Sequence, residues 1–544
     1  MRLAGPLLSA SATAIRNGNP TANVFGSVFI GDGAQVSSTS TPAFLRYDGA
    51  TVDTSGGFFV VRRSLSPTQL TRLDLAGPLF RAINGSTFNA TSLGTTSACC
   101  TGFNVQQGGQ LVATTNLALI QLVDSVFDAG PDAQSGGNFI GLTDSGLNGP
   151  LTASATVSLA GPLVSSTTSN IRALFSALSV TRSTLTSTSP DALIQLNGTR
   201  ANAPALLLGG LNPFGSVTTT GRLLSVVSSV TSGQTGLPAS VSLAGPLLDA
   251  VSAPIQLTGD VIGIFNGASV SSTSTSPFVR LNDTTLTAGV SGDVVVNGRI
   301  AFVSGVGGPD GATPASLTLS GPLLEASNST PDNSTFVDVR GANGNVVRLD
   351  AALLAATAPL IALTGNGTRL QTSGNGIDLA NNASLQSLNA PEGLIRIENQ
   401  ARMDVLNGHL VSVSLSRLNV AGDLVRMGNG ALLNVNGVLL NVLNGGIVNI
   451  NGALVNFTGI NATINVTNTL APNNFFNGVP VFVATGAVLP SIGAGSLAGL
   501  NAGNNIIRIN GTQLPTGATT ASGITGSLIN VGANGTVRIA GTPN

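Results

Sequence analysis

A six-residue phrase that returns at long intervals is the feature that most constrains how this chain can fold. Residues Leu3 to Leu8 read Leu-Ala-Gly-Pro-Leu-Leu, and close variants begin at Leu75, Leu159, Leu243 and Leu319. The central glycines stand 72, 84, 84 and 76 residues apart. A fixed turn that recurs at so long a period indicates an array of similar supersecondary units stacked on one another.

The phrase itself predicts a corner between two strands. Ahead of it, apolar residues such as Val157 and Leu159 alternate with polar ones, as in a strand with one buried face. Glycine then allows backbone angles that are closed to other residues, and proline fixes φ and removes an N–H. Leu247 and Leu248 begin the next apolar run. The phrase therefore joins two short strands that share one core.

A second, weaker marker supports an architecture made only of strands. A run of Val, Ser and Thr begins at Gly33 and again at Gly267, and an apolar strand follows each copy. Equivalent apolar runs lie about 24 to 45 residues apart, which is too far for tight hairpins and enough for one coil of about three strands. We predict an all-β fold, namely a single elongated, right-handed parallel β-helix (β-solenoid) of about 15 to 20 coils. Only Asp350 to Ala358 has a pattern compatible with a helix.

The residue composition of the repeats divides the chain into three stretches. Residues 1–350 carry the corner phrase, and residues 351–426 continue the coils. Residues 427–544 are rich in asparagine, and Met427 to Ile507 contains no charged residue or histidine. Asn-Gly pairs follow apolar runs about eight residues apart here, a spacing that also suits hairpins. We interpret these runs as consecutive solenoid strands.

Composition argues against several classes of partner. Only 8% of the residues are charged, the net charge is −1, and all the positive charge is arginine, because the chain has no lysine. With no Trp and a single Tyr there is little surface on which nucleic-acid bases could stack, so we expect no nucleic-acid binding. A phosphate-binding loop of the Gly-Lys-Ser/Thr kind is excluded for lack of lysine.

Three segments bear on redox chemistry and on membranes. Cys99 and Cys100 are adjacent, and a bridge between sequence neighbours would be strained, so we interpret them as two buried or half-buried thiols. Val479 to Leu500 is uncharged and long enough to cross a bilayer, but its prolines and glycines favour strands and turns, so we predict no membrane span. The chain opens on the corner phrase and not on a signal peptide, which we interpret as a start within a solenoid.

The residues that could carry catalysis are few. Asp124, Asp128 and Asp132 are the nearest approach to an acidic cluster, and we interpret them as solvated corner residues. His409 is the only histidine; Asp404 lies five residues upstream, but no nucleophile-elbow context accompanies them, so we expect a surface or corner histidine. We therefore assign no catalytic, cofactor-binding or metal residue, and we expect no cofactor.

The corner-repeated strands, the turns rich in Asn, Ser, Thr and Gly and the scarcity of charge resemble the β-helical stalks of bacterial filamentous haemagglutinin-like exoproteins and autotransporter passenger domains. The resemblance implies a secreted or surface-exposed rod. We expect an extracellular or cell-surface structural or adhesive β-solenoid without catalytic activity, with cell-surface glycans, host or matrix surfaces, or further copies of itself as partners. One alternative is a carbohydrate-active β-helix enzyme of the polysaccharide lyase or hydrolase kind, and another is a self-assembling filament or surface-layer subunit.

Overall fold

In a computed structural model the chain folds as an all-β parallel β-solenoid, and no helix is present among the residues that the structure describes. Contacts divide it into a first unit, Met1–Ser274 with Gly305–Ser316, and a second unit, Thr275–Ser304 with Leu317–Asn544. The described residues are 1–17, 28–31, 33–55, 57–62, 70–91, 101–129, 137–143, 154–200, 203–211, 217–228, 238–290, 297–305, 314–330, 332–357, 359–388, 392–444, 446–452, 454–458, 462–466, 507–509, 529–531 and 536–539.

The first unit contains the strands that precede residue 275. In chain order they are β1 (Arg2–Leu3), β2 (Leu8–Ser11), β3 (Ala14–Asn17), β4 (Val28–Ile30), β5 (Gln35–Ser38), β6 (Leu45–Asp48), β7 (Thr51–Ser55), β8 (Phe59–Arg62), β9 (Arg72–Leu75), β10 (Phe80–Ile83), β11 (Thr87–Thr91), β12 (Phe103–Gln106), β13 (Gln110–Ala113), β14 (Ile120–Val123), β15 (Val126–Ala129), β16 (Ile140–Thr143), β17 (Thr156–Leu159), β18 (Val164–Thr167), β19 (Asn170–Ala173), β20 (Ser176–Thr181), β21 (Thr184–Ser187), β22 (Ile194–Asn197), β23 (Leu206–Leu208), β24 (Gly210–Leu211), β25 (Val217–Thr219), β26 (Arg222–Val227), β27 (Ser240–Leu243), β28 (Leu248–Val251), β29 (Ile255–Leu257), β30 (Ile262–Phe265) and β31 (Ser269–Ser272).

The remaining strands belong to the second unit, except that β35 spans the division between the units. They are β32 (Val279–Asn282), β33 (Thr285–Ala288), β34 (Arg299–Ser304), β35 (Ala315–Leu319), β36 (Leu324–Ser327), β37 (Thr335–Val339), β38 (Asn345–Asp350), β39 (Ala352–Ala356), β40 (Ile361–Thr364), β41 (Thr368–Thr372), β42 (Ile377–Ala380), β43 (Ser384–Ser387), β44 (Ile395–Glu398), β45 (Arg402–Val405), β46 (Val411–Ser414), β47 (Arg417–Val420), β48 (Val425–Met427), β49 (Leu432–Val435), β50 (Leu440–Leu443), β51 (Ile447–Ile450), β52 (Val455–Phe457), β53 (Thr463–Val466), β54 (Ile507–Ile509), β55 (Ile529–Val531) and β56 (Thr536–Ile539).

From β1 to β53 successive strands of a coil take up four parallel sheets in a fixed order, and we letter the sheets A to D by that order; the last three strands, β54, β55 and β56, lie in sheets B, D and A. Sheet A of the first unit runs from β1 through β5 and β9 to β31, and sheets B, C and D begin at β2, β3 and β4. The short pair β24 and β25 is antiparallel and lies in the connection between β23 and β26. Within each unit the strands of the four sheets thus hydrogen-bond to the equivalent strands of the neighbouring coils.

The coil is larger than the sequence indicated, with four strands instead of about three. Sheets A and B have 14 strands and sheets C and D have 13, so the described residues account for 13 to 14 of the predicted 15 to 20 coils. The sequence estimate counted one apolar run per corner, but the B-to-C corners are mostly two or three residues long, so two strands were counted as one.

The corner phrase joins sheet A to sheet B, as predicted. Leu75 ends β9 and Phe80 begins β10, and the copies that follow Leu159, Leu243 and Leu319 have the same arrangement. The coils between these copies use a six-residue corner instead, such as 39–44 or 188–193, where Ser, Thr and Pro predominate. The long sequence period is therefore two coils, one with each kind of corner.

The glycine of the phrase is required by this alternation. A Cβ on Gly77 would lie 2.5 Å from the carbonyl oxygen of Ser40 and 2.6 Å from that of Thr41, both in the long corner of the preceding coil. Similar backbone clashes would arise at Gly161, Gly245 and Gly321. Only a residue without a side chain fits beneath the longer corner.

Inward-facing residues fill the two units differently. A cluster of aromatic rings fills coils two to four of the first unit; its members are Tyr47, Phe58, Phe80, Phe88, Phe103, Phe127 and Phe139. Burial raises the pKa of the Tyr47 hydroxyl. In the second unit Leu, Ile and Val fill the equivalent positions, as at Leu363 and Ile397.

In the second unit, the segment with a weak helical pattern and the asparagine-rich runs both form strands. The run from Asp350 to Ala358 is not helical, because β38 ends at Asp350 and β39 covers Ala352–Ala356, where ladder bonds to β43 override a weak helical pattern. The asparagine-rich runs are consecutive strands, as predicted: β49, β50 and β51 lie in sheets C, D and A and pair in parallel, so their Asn-Gly turns are solenoid corners and not hairpins.

Candidate functional site: an amide cluster on sheet D

Long connections in the first unit all border one sheet. Seven connections between β1 and β31 have nine or more residues, and every one of them enters or leaves a strand of sheet D. They are 18–27, 63–71, 92–102, 130–139, 144–155, 209–221 and 228–239. The other connections of this stretch have eight residues or fewer. Insertions in repeat proteins often lie on the binding face, which makes sheet D the candidate binding face of this unit.

The outer face of sheet D carries a group of polar side chains on three adjacent strands. We call Arg62 of β8, Asn104 and Gln106 of β12, Gln107, and Thr143 of β16 the amide cluster. Parallel register places Arg62, Gln106 and Thr143 in one row across the strands. Phe103 and Val105, which alternate with the polar residues of β12, are buried in the core. Strand periodicity therefore turns the amides outward.

The hydrogen bonds that Asn104 makes within the amide cluster are long. Asn104 donates to the Oε1 atom of Gln106 at 3.4 Å, and Thr143 donates to the Oδ1 atom of Asn104 at 3.4 Å. The Nε group of Arg62 donates to Gln107, which has a left-handed φ of 51°. Each amide can donate two hydrogen bonds and accept two, so these contacts use only part of the capacity of Asn104 and Gln106.

A glycine keeps the Asn104 amide accessible. Gly141 of β16 pairs directly with Asn104, and a Cβ there would lie 3.0 Å from the Thr101 side chain and 3.4 Å from the Asn104 Oδ1 atom. A larger residue would therefore crowd both neighbours. The cluster offers donors and acceptors on a flat sheet, with one guanidinium and no carboxylate among its five members.

Of the three aspartates singled out in the sequence, the structure describes two, Asp124 and Asp128, and these contact different arginines. Asp124 lies at a B-to-C corner with φ of 48°, and its carboxylate is 3.4 Å from the Nε atom of Arg200. Asp128 is on β15, 3.7 Å from a nitrogen of Arg172. Asp132 lies outside the described residues. Asp124 is thus a corner residue, as expected, whereas Asp128 belongs to a strand.

His409 is a corner histidine, as expected, and it belongs to a ladder of hydrogen bonds at the C-to-D corners of the second unit. Asn345 accepts from the Asn375 N–H at 2.7 Å, Asn375 accepts from the His409 N–H at 2.7 Å, and the His409 Nδ1 atom accepts from the Val438 N–H at 3.1 Å. We call this series the corner ladder. Burial lowers the pKa of His409, which favours the neutral ring that can accept.

Asp404 lies in a charged network on sheet C of the second unit. Its carboxylate accepts from the Nε atom of Arg369 at 2.7 Å and of Arg402 at 2.7 Å, and from Asn434 at 2.6 Å. Gln371 separates it from Asp338 in the parallel register, and Asp338 pairs with Arg340 at 2.6 Å. Asp404 does not act with His409 in any contact that the structure shows.

Asp378 is a second carboxyl of this unit with a distinct environment. Burial raises its pKa, and the nearby Arg348 and a hydrogen bond from Asn375 oppose that effect. Arg348 also lies 3.6 Å from Asp350. The carboxylates of this region are therefore held in arginine and amide contacts.

Two expectations concern residues outside the described part of the chain: the thiols of Cys99 and Cys100, and the segment from Val479 to Leu500. Within the described ranges, no group of three or more His, Cys, Asp or Glu side chains is placed to hold a metal ion. None of the described segments forms an apolar helix of membrane-spanning length.

The chain matches no known protein family and no curated protein. Sequence reasoning missed the amide cluster, because Asn104, Gln106 and Thr143 form no motif and meet only through the register of β12 and β16. The signal in the sequence that could have directed attention to sheet D was the unequal spacing of the apolar runs on either side of the long connections.

Proposed function

We propose that this chain is a structural and adhesive β-solenoid that acts without catalysis at the cell surface or outside the cell. The observation that carries the proposal is that seven long connections of the first unit all border sheet D. A solenoid supplies a stable repeated support, and variable connections on one face supply recognition. Cell-surface glycans and host or matrix surfaces are the proposed partners.

The small number of charged groups supports the same proposal. Asp338 and Asp404 lie on one face two strands apart, or about 10 Å at ordinary strand spacing. That separation approaches the range used by inverting glycosidases. Both carboxylates, however, are bound to arginines, which favours a structural role over that of a free acid and base.

We also propose a class of β-solenoid and a cellular location for this chain. A stalk of the filamentous haemagglutinin-like or autotransporter passenger kind is the class of β-solenoid that the uncharged, Asn-, Ser- and Thr-rich corners suggest. Such stalks are secreted or surface-exposed rods, and further copies of the chain are a second proposed type of partner.

The test is binding by the intact chain attached to a surface. We expect it to retain cells or purified glycans, and we expect retention to fall when residues 92–102 are replaced by the three-residue connection 56–58, which joins the same two sheets one coil earlier. A matched variant replaces the six-residue A-to-B corner 114–119 by the six-residue corner 39–44, which joins the same two sheets two coils earlier, and should keep binding. Retention of no cell, glycan or matrix protein by the folded chain would refute the proposal.

The enzymatic alternative is separated by a second measurement. Incubation with neutral and acidic polysaccharides should release no reducing or unsaturated ends. If ends are released, and if Asp404→Asn abolishes the release without loss of fold, the carboxylates of sheet C are catalytic and the proposal is wrong.

A further inference from the structure

We infer that the amide cluster binds an uncharged glycan through its side-chain amide and hydroxyl groups. The inference rests on the proposed adhesive function and adds to it a site and a ligand class. Its members are Arg62, Asn104, Gln106, Gln107 and Thr143, on or next to strands β8, β12 and β16.

A peptide cannot bind here by adding a strand. β8 pairs with β4 and β12, β12 pairs with β8 and β16, and β16 pairs with β12 and β20. The backbone donors and acceptors of the three strands are used in these parallel ladders, so no sheet edge is open for β-augmentation. A ligand on this face therefore meets side chains.

The side chains present suit hydroxyl groups. A sugar hydroxyl both donates and accepts, and so do the amides of Asn104 and Gln106 and the hydroxyl of Thr143. The hydrogen bonds within the cluster use neither N–H of the Gln106 side chain. The hydrogen bond from Asn104 to Gln106 and that from Thr143 to Asn104 are each 3.4 Å long. Hydrogen bonds of that length are weak and are readily exchanged for shorter ones to a ligand.

The charge of the cluster favours an uncharged glycan over an acidic one. Four of its five members are neutral, and Arg62 donates its Nε hydrogen bond to Gln107. Recognition of carboxylates or sulfates usually relies on guanidinium groups that approach the anion in pairs of hydrogen bonds. One arginine held by an amide is a poor site of that kind.

None of the five members of the cluster carries an aromatic ring on which a sugar could stack. Two outward aromatic rings of sheet D lie elsewhere in the described part of this unit: Phe29 of β4, which is 44% exposed and two strands from Asn104 in the same row, and Phe265, whose ring is covered by the guanidinium of Arg222 at 5.0 Å from the centroid. Binding by the cluster itself then comes from several hydrogen bonds across the rows, and the three strands extend them over about 10 Å. A chain of linked sugars meets this requirement better than a single ring.

The experiment measures retention of the intact chain on immobilised mannan, galactan and β-glucan, with hyaluronan, polygalacturonate and fibronectin beside them. The variants are Gln106→Ala, Thr143→Val and the pair together. Matched controls are Gln195→Ala and Thr167→Val, which remove the same groups from half-buried outward positions of sheet B in the same unit. Circular dichroism and thermal melting establish that each variant is folded.

We expect at least one neutral glycan to bind, and we expect each cluster substitution to weaken that binding about three- to tenfold, as for a lost neutral hydrogen bond. The pair should weaken it by more than tenfold, and the sheet B controls should change it less than twofold.

Three other results would contradict the ligand class, the site or the proposed function. Binding to acidic glycans or fibronectin alone refutes the uncharged ligand but leaves the adhesive function standing. Neutral binding that survives the cluster substitutions refutes the site. Absence of all binding by the folded chain refutes the proposed function together with the inference.

Discussion

The two units of this solenoid keep the same four-strand coil but are stabilised by different means. The first unit has connections from two to 13 residues long at its C-to-D corners and packs aromatic rings in its core. In the second unit, no connection between β38 and β53 exceeds seven residues, and polar ladders run along its corners and its sheet C.

The difference shows that ladders need corners of nearly equal length. The C-to-D corners of Asn375 and His409 have four and five residues, so equivalent atoms meet from coil to coil. Insertions in the first unit interrupt such a series. Its coils are instead joined by interlocking rings, five of which lie on strands and two of which, Phe58 and Phe139, directly precede a strand.

Removal of one ring tests this view of the first unit and should have the largest effect. Phe80 is fully buried and contacts Tyr47, Phe88 and Phe103 with centroids 4.8 to 5.5 Å away. We expect Phe80→Ala to cost about 3 to 5 kcal/mol, because it leaves a cavity in the core. Urea unfolding and hydrogen exchange in β6 and β14 measure it. Phe265→Ala, on the outer face, is the control and should cost about 1 kcal/mol; equal costs would refute a special role for the cluster.

The glycine of the corner phrase should come next. In Gly77→Ala the new methyl group would meet the carbonyl oxygens of Ser40 and Thr41, and we expect a loss of about 2 to 3 kcal/mol. Gly5→Ala is the matched variant, since no atom lies within 4 Å of a Cβ there, and its effect should stay within about 0.5 kcal/mol. Thermal melting of the two variants side by side distinguishes packing from intrinsic propensity.

A pair of aspartates with the same local geometry compares the charged groups of the two units. Asp404 and Asp74 each bind an arginine two residues earlier, but the Asp404 side chain is 2% exposed and that of Asp74 is 42% exposed. We expect Asp404→Asn to cost about 2 kcal/mol, because two arginines lose their partner, and Asp74→Asn less than about 0.5 kcal/mol. Similar values from urea titrations would show that burial does not strengthen the network.

The corner ladder predicts a small dependence on pH. Burial lowers the folded-state pKa of His409 below 6.5, so the unfolded chain binds the extra proton first as the pH falls. Its contribution to stability is therefore complete above pH 6.5 and is lost progressively below it, toward the folded pKa. We expect the Val438 amide to be less protected at pH 5.5 than at pH 7.5, when its hydrogen-exchange rate is divided by the intrinsic rate at each pH.

His409→Asn is the control for that measurement. Asparagine occupies the preceding steps of the ladder, so it should keep the acceptor and remove the pH dependence between pH 5.5 and 7.5. Asp378, whose pKa is raised by burial, acts with the opposite sign and is unchanged in the variant. A pH effect that persists in His409→Asn would place its origin elsewhere.

The fold was predictable where the information is local. Leucine, glycine and proline encode a corner within six residues, and the structure confirms that corner and the solenoid that it implies. The alternation of corners was not predictable, because the groups that crowd Gly77 lie 36 and 37 residues earlier in the chain. The amide cluster was hidden for the same reason, since Gln106 and Thr143 become neighbours only through register.

The crowding at Gly77 also sets the step by which this part of the chain can change length. The four-residue corner that contains Gly77 lies against the six-residue corner of the preceding coil, and loss of one coil, such as residues 35–71, would remove that longer corner and bring two four-residue corners together. Loss of residues 35–109, a coil of each kind, keeps the alternation, because the corner at 4–7 would again be followed by a six-residue corner, at 114–119. We therefore expect that, during evolution, the first unit gains or loses coils two at a time, so that four-residue and six-residue corners continue to alternate.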